Sequence, residues 1–372
     1  MSGIETTGLF RWFQPAKILP GAILATLAAV VILFIITVGH KLYVEARARR
    51  LRTLTGDYES GIRSTILNAR PDVKPPRTPL EFEAYGEAVL RVFPDMKDDQ
   101  PALLREQVRR FGLDAFYRER ALSPSWVHRF SAVEKLGALK MEDLRLFFRD
   151  IMARERHHDV LAQTVLALSR IVQDDGDLGA INAVLVIPYF KSSKFAEYIY
   201  ENIIRTFVAS GREPLFLRYL ASLMSDDGVP VLLKKDIIEA CGSARLMAAK
   251  NTIINSYVDL CGVPEMRIVC IRALGRLGGD DMSRIISTCL RDEDWRVRVV
   301  AAKNAYFSGT AIISDIRKCL HDKNYYVRMN AAVSLSLLGK AGIAVLSEEK
   351  KSGDRFTRDV SKYILREVRI RG

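Results

Sequence analysis

Five histidines and five cysteines are the first side chains to question, because imidazoles and thiolates at the right spacing bind metals and carry nucleophilic or acid–base chemistry. The histidines are His40, His128, His157, His158 and His321. His157 and His158 are adjacent, so on a helix their side chains diverge, and no His or Cys follows at the next turn to complete a metal face. Cys241, Cys261, Cys270, Cys289 and Cys319 are odd in number and include no Cys-x-x-Cys. Cys289 and Cys319 stand 30 residues apart, each before a leucine, as small buried residues in a reducing compartment would. Gly275, Gly278 and Gly279 follow no strand and precede no phosphate-binding lysine, so they read as helix C-caps. Asp174-Asp175-Gly176-Asp177 and Asp226-Asp227-Gly228 lack the spaced carboxylates of a calcium loop and read as turns. No Gly-x-Ser-x-Gly, Gly-x-x-x-x-Gly-Lys or His-Glu-x-x-His occurs. The expectation is therefore no catalytic residue, no metal, no cofactor and no enzyme.

The residues that do recur at fixed spacing are an aspartate and an arginine. Residues 290–309 repeat in residues 320–339, with Leu, Asp, Val-Arg, Ala-Ala and a closing Gly shared at an offset of 30. Residues 264–278 match at an offset of 31, and residues 356–365 match forwards at 30. Weaker copies around 126–137, 159–170, 196–207 and 234–242 suggest six to eight helix pairs. Ser123-Pro124 reads as an N-cap with proline at the first helical position. A fixed period of this kind belongs to a solenoid, whose units bury their apolar faces only by stacking. The predicted fold is all-α: an α-solenoid over residues 80–372, clearest in repeats 260–289, 290–319, 320–349 and 350–372.

The unit Leu-x-Asp-x-x-x-Val-Arg-x-x-Ala-Ala resembles the HEAT repeat in its short bacterial, PBS-lyase-type form. The resemblance is specific over residues 260–345 and fades towards residue 120. In that family a turn aspartate and an arginine six residues on form a ladder between neighbouring units. Here Asp292, Arg298, Asp322 and Arg328 match it. Cys261 and Ser352 stand where aspartate would, so breaks are expected in the units of Arg267 and Arg358. Arginines held in such a ladder stabilise the stack and are not available to a ligand.

The solenoid must be held somewhere, and the N-terminal segment says where. Ile18 to His40 carries no formal charge, and 23 residues at about 1.5 Å each cross a bilayer core. Phe10, Trp12, Phe13 and Tyr43 flank it as interfacial aromatics do. Its apolar run is too long for a cleaved signal peptide, so it reads as an anchor. Of the net charge of +12, residues 1–40 hold +1, residues 41–79 hold +5, and the rest hold only +6. Lys41, Arg47, Arg49, Arg50 and Arg52 follow the span against Arg11 and Lys17 before it. The positive-inside bias then puts residues 1–17 outside, residues 18–40 in the membrane, and the bulk in the cytoplasm at the cell (inner) membrane. Residues 41–70 read as a basic juxtamembrane helix whose arginines also meet anionic lipid headgroups. Residues 71–79, with four prolines, read as a stiff extended spacer.

These elements together predict a non-catalytic scaffold or adaptor that holds a protein partner, itself membrane-associated, on a cytoplasmic HEAT-like surface. The resemblance implies an accessory of an envelope or polysaccharide-assembly system as its setting. Trp126, Tyr189, Phe190, Trp295, Tyr325 and Tyr326 are the candidate partner contacts. The alternative is a HEAT-like enzyme, because some such repeats form phycobilin lyases and others DNA glycosylases. No chromophore pocket is marked, and a dilute +6 on a tethered domain suits genomic DNA poorly, so neither nucleic acid nor small-molecule substrate is expected.

Overall fold

The computed structural model describes residues 15–68, 73–190, 194–260, 262–278 and 282–371. Phe10, Arg11, Trp12, Phe13, Pro71 and Cys261 lie outside the described residues, as does most of the predicted extracytoplasmic segment. Every regular element among the described residues is helical, with no strand. The chain divides into two compact units, residues 1–117 and 118–372.

The first unit contains α1 (Pro15–Asn68), α2 (Pro79–Val92), α3 (Gln100–Arg110) and most of α4 (Leu113–Arg120). α1 is one unbroken helix meeting two different environments. Its N-terminal part is long and apolar enough to cross a membrane, with a mean hydropathy of 2.5 over 18 residues and nothing packed on it. Its C-terminal part buries Thr55 and Ile62 against α2, where Tyr58 meets Tyr85 edge-on at 5.4 Å. Arg47 pairs with Glu83 at 2.8 Å, Arg91 with Glu59 at 3.8 Å, and Arg63 with Asp95 at 3.1 Å. Contacts therefore ascend together along both helices, which run parallel.

A parallel pair needs a return connection about as long as the helix from Arg47 to Asn68, roughly 30 Å. The ten residues 69–78 between α1 and α2 are enough in number to span that distance. Thr78 and Glu81 then start α2 with a reciprocal capping box.

The second unit continues with α5 (Trp126–Ala138), α6 (Arg145–Arg154), α7 (His158–Ser169), α8 (Asp175–Leu185), α9 (Phe195–Ala209) and α10 (Glu213–Ser225). It then runs through α11 (Val231–Ser243), α12 (Lys250–Asp259), α13 (Pro264–Leu277), α14 (Met282–Cys289) and α15 (Trp295–Asn304). α16 (Ile313–Cys319), α17 (Tyr325–Leu337), α18 (Lys340–Glu349) and α19 (Arg355–Arg371) complete it. From α5 to α17, each odd-numbered helix packs on the next odd-numbered one, and α6, α12, α14, α16 and α18 each pack on the odd helix that follows.

Small residues set the spacing between odd-numbered helices. A Cβ on Gly137 of α5 would fall 2.5 Å from that of Ala167 on α7, and one on Gly242 of α11 would fall 2.7 Å from the Cα of Ala273 on α13. The closing glycines also have a structural cause. Gly278, Gly309 and Gly339 all take positive φ, between 62° and 73°, where a side chain would be strained. Cys241, Cys270, Cys289 and Cys319 are buried thiols, and burial pushes each up, that of Cys289 to about 11.

A methyl at Gly242 must push the backbone of α13, so Gly242→Ala is expected to destabilise the fold by about 1–3 kcal/mol. A methyl at Gly179, on the open side of α8, meets nothing within 4 Å. Gly179→Ala is expected to stabilise by about 0.5–1 kcal/mol through helix propensity. Urea unfolding of the detergent-solubilised protein distinguishes the two.

Candidate functional site

The inter-helix turns of the second unit are organised around guanidinium groups. Arg298 on α15 turns back to donate to the carbonyls of Asp292 and Glu293, at 2.8 and 3.0 Å. It also reaches forward to both carboxylate oxygens of Asp322, at 2.7 and 3.0 Å. Asp322 in turn accepts from the N–H of Asn324 at 2.8 Å. Burial alone would raise the Asp322 carboxyl, but the Arg298 and Asn324 donors outweigh it and hold the group below its ordinary value. One side chain thus fastens its own turn and the next.

The same geometry recurs where the sequence did not mark it. Arg267 pairs with Asp292 at 2.8 Å, so the absence of aspartate at position 261 leaves Arg267 itself engaged, because the guanidinium reaches forward. Arg129 grips the carbonyls of Ser123 and Pro124 and both carboxylate oxygens of Glu155, at 2.7 and 3.0 Å. This also explains the segment before α5. Ser125, not Ser123, is the N-cap, and Ser123 instead accepts from the Ser125 N–H at 3.3 Å.

Glu155 escaped the Asp-to-Arg spacing because the residue six positions on is Leu161. Its signal is a different one: Glu155, Asp292 and Asp322 each lie two residues before an N-cap. Burial opposes the Glu155 charge, but Arg129 and the N–H groups of His157 and Arg156 lower its carboxyl to about 2. Arg328 donates to the carbonyls of Asp322 and Lys323, and with Ser352 in place of aspartate it lies over the Phe356 ring at 4.9 Å.

The two histidines serve as aromatic surfaces. His157 stacks on Trp126 at 4.2 Å and His158 on Tyr189 at 4.3 Å. Among the described residues, no group of three His, Cys, Asp or Glu side chains could hold a metal. The turn read from Asp174 to Asp177 is the start of α8, with Asp174 as N-cap. Asp177 is fully buried 3.1 Å from Arg145. Burial raises its carboxyl above the ordinary value, with the Gln173 N–H and Arg145 pulling the other way.

The candidate contact residues divide. Trp126, Tyr189, Trp295, Tyr325 and Tyr326 are exposed, whereas Phe190 is only 4 % exposed and packs inward against Phe195, so it is not a surface contact. Trp126, Trp295 and Tyr325 are the first residues of α5, α15 and α17, and Phe356, missed from sequence, is the second of α19. The starts of α15, α17 and α19 therefore carry exposed rings along the turn edge, with Trp295 and Tyr326 centroids 6.4 Å apart.

A separate open cleft of about 350 Å³ lies across the starts of α9, α11 and α13. Charges of both signs line it, including Glu197, Lys235, Asp236, Glu239 and Arg272. Glu239 pairs with Arg276 at 2.9 Å, and burial raises the Asp236 carboxyl. The basic residues after the span are partly committed. Arg47 holds Glu83, Arg49 lies 3.9 Å from Glu45, and Arg50 adds to the lowering of Glu81 that the Arg77 and Thr78 N–H groups begin. Lys41 and Arg52 are exposed.

No family profile matches the chain, and no curated protein matches it. Solved structures do. An engineered protein aligns at 16 % identity over 86 % of this chain and 94 % of its own, with a TM-score of 0.35. Human deoxyhypusine hydroxylase in complex with glycerol aligns at 14 % identity over 86 % and 98 %, with a TM-score of 0.25. A second engineered protein aligns at 13 % identity over 70 % and 97 %, with a TM-score of 0.21. At these scores the matches carry no argument about activity.

Asp322→Ala removes a bidentate partner from Arg298 and is expected to cost about 2–3 kcal/mol in a urea titration. The Glu155 carboxyl is depressed on folding, so its contribution is complete above its ordinary value of 4.5 and is lost as pH falls towards about 2. Glu155→Gln is therefore expected to flatten the stability–pH curve within that window and to leave its slope above pH 5 unchanged.

Proposed function

We propose that this chain is a membrane-tethered α-solenoid of HEAT-like hairpins that positions a membrane-associated protein partner and performs no chemistry of its own. α1 is the tether, with the second unit on the cytoplasmic side, as the excess of Lys and Arg after the span favours. The stacking of successive odd-numbered helices and the turn arginines support the repeat reading. The observation that carries the binding role is the edge of exposed rings at the starts of α15, α17 and α19. The arginines beside those rings are already bound to turn carbonyls and carboxylates, which leaves the aromatic faces as the accessible feature.

Exposed Trp and Tyr supply large contact area at low entropic cost and dominate many interfaces. An envelope or polysaccharide-assembly complex is the setting the repeat resemblance suggests. The enzymatic alternative has a named enzyme among the three structures described above, human deoxyhypusine hydroxylase, whose TM-score of 0.25 carries nothing across.

Affinity capture of the full chain from its own membranes tests the reading. A defined membrane protein is expected to co-purify, and the double variant Trp295→Ala/Tyr326→Ala is expected to reduce its recovery about 30-fold, as loss of an interfacial aromatic worth about 2 kcal/mol would. The melting temperature should stay unchanged. A fall in melting temperature with capture intact assigns the rings to packing and defeats the proposal.

A further inference from the structure

The positive charge that the turn ladder does not absorb is concentrated in one helix. Residues 80–372 carry a net +6, and α19 contributes +4 of it, from Arg355, Arg358, Lys362, Arg366, Arg369 and Arg371 against Asp359 and Glu367. Elsewhere in this unit the prominent arginines are neutralised: Arg129 by Glu155, Arg145 by Asp177, Arg298 by Asp322 and Arg317 by Glu349. Lys362, Arg366 and Arg369 face solvent, and among the described residues no carboxylate pairs with them.

α19 presents three faces. Thr357, Val360, Ser361 and Ile364 are buried, and α17 and α18 pack on this helix. Phe356, Tyr363 and Ile370 recur every seven residues, which on a helix drifts only about 20° per step, so they form one stripe. They are 60 %, 52 % and 68 % exposed, although Arg328 covers one face of Phe356. Lys362, Arg366 and Arg369 lie along the side of that stripe away from the buried face.

We propose that the outer face of α19 is an interfacial surface for an anionic bilayer, with Phe356, Tyr363 and Ile370 entering the headgroup region and Lys362, Arg366 and Arg369 meeting lipid phosphates. Apolar and cationic residues in separate parallel stripes are the arrangement of a helix lying in a membrane interface. A nucleic-acid groove instead sets its aromatics among its cations so that bases stack between phosphate contacts. An acidic amphipathic helix fits the same two stripes, and the tether decides for lipid: α1 keeps a bilayer within reach at high effective concentration. This step rests on α1 being embedded in the membrane.

The test uses the full chain in nanodiscs of phosphatidylcholine, with and without phosphatidylserine, read by backbone amide exchange over residues 355–370. Phosphatidylserine is expected to slow exchange there by about tenfold or more. About 1 M salt, where the screening length is about 3 Å, should reverse the effect. So should Lys362→Glu/Arg366→Glu/Arg369→Glu, a set of exposed positions whose folding is checked by melting temperature. Equal exchange in both lipids overturns the proposal. Protection in phosphatidylcholine that requires an added acidic membrane protein also overturns it, in favour of a protein occupant.

Alkaline extraction scores the tether separately. If the chain is released, the membrane-tether reading fails. Co-sedimentation of the same chain with phosphatidylserine vesicles, weakened about 100-fold in the triple variant, then still decides the α19 surface.

Discussion

A helix of ten to thirteen residues cannot bury its apolar face against one partner of similar length, and the second unit of this protein answers that constraint by letting each odd-numbered helix touch the next. The approach is possible because small residues stand at the crossings, Gly137 over Ala167 and Gly242 over Ala273. Apolar burial at about 25 cal/mol per Å² supplies the cohesion, but it is non-directional and does not set the angle between neighbours. The guanidinium groups supply that direction. Arg298 holds two carbonyls of its own turn and a carboxylate of the next, so its planar fork fixes one turn relative to another.

This division of labour explains why charge is unevenly available. Where a turn carboxylate exists, the arginine is spent on the fold and its charge is cancelled locally. Where Ser352 replaces it, Arg328 lies over an aromatic ring and the positive charge on the neighbouring helix is left for solvent. The exposed rings follow from the same turns. A residue at the first position of a helix, next to a carboxylate two residues before the cap, lies over the turn instead of inside the packed face. Large apolar side chains there remain accessible without weakening the core.

α1 shows how one helix can carry two compositions. Its first part has the composition of a bilayer-spanning helix and carries no packed partner, while its last part is half-covered by α2. No proline or glycine kink is needed between them, because helical hydrogen bonds are internal and indifferent to what surrounds the side chains. The parallel pairing of α1 with α2 is fixed by their own facing side chains, Arg47 with Glu83 and Arg91 with Glu59.

Composition and period by themselves determined the helical class, the apolar span, the repeated turn and the cap at Gly278, because each is a local property with a local signature: uninterrupted apolarity, a 30-residue offset, or a residue type tied to one backbone region. Gly275, also read as a cap, instead lies buried inside α13, where it meets Asn304 of α15. The family pattern also singled out Asp292, Arg298, Asp322 and Arg328, but its six-residue spacing sets Arg298 beside Asp292, whose carbonyl it meets, whereas the carboxylate it holds is that of Asp322 in the next turn. Tertiary structure alone decided the rest. The partner of Arg129 is 26 residues away and is a glutamate that no i-to-i+6 rule selects. Nothing local in residues 79–92 says that their helix runs parallel to α1 and covers one of its faces. Phe190 turned inward and Phe356 outward although both are aromatic residues near a helix start. Contacts between distant residues depend on how helices settle against one another, and that settling is a sum over many small packing terms that no short stretch of sequence contains.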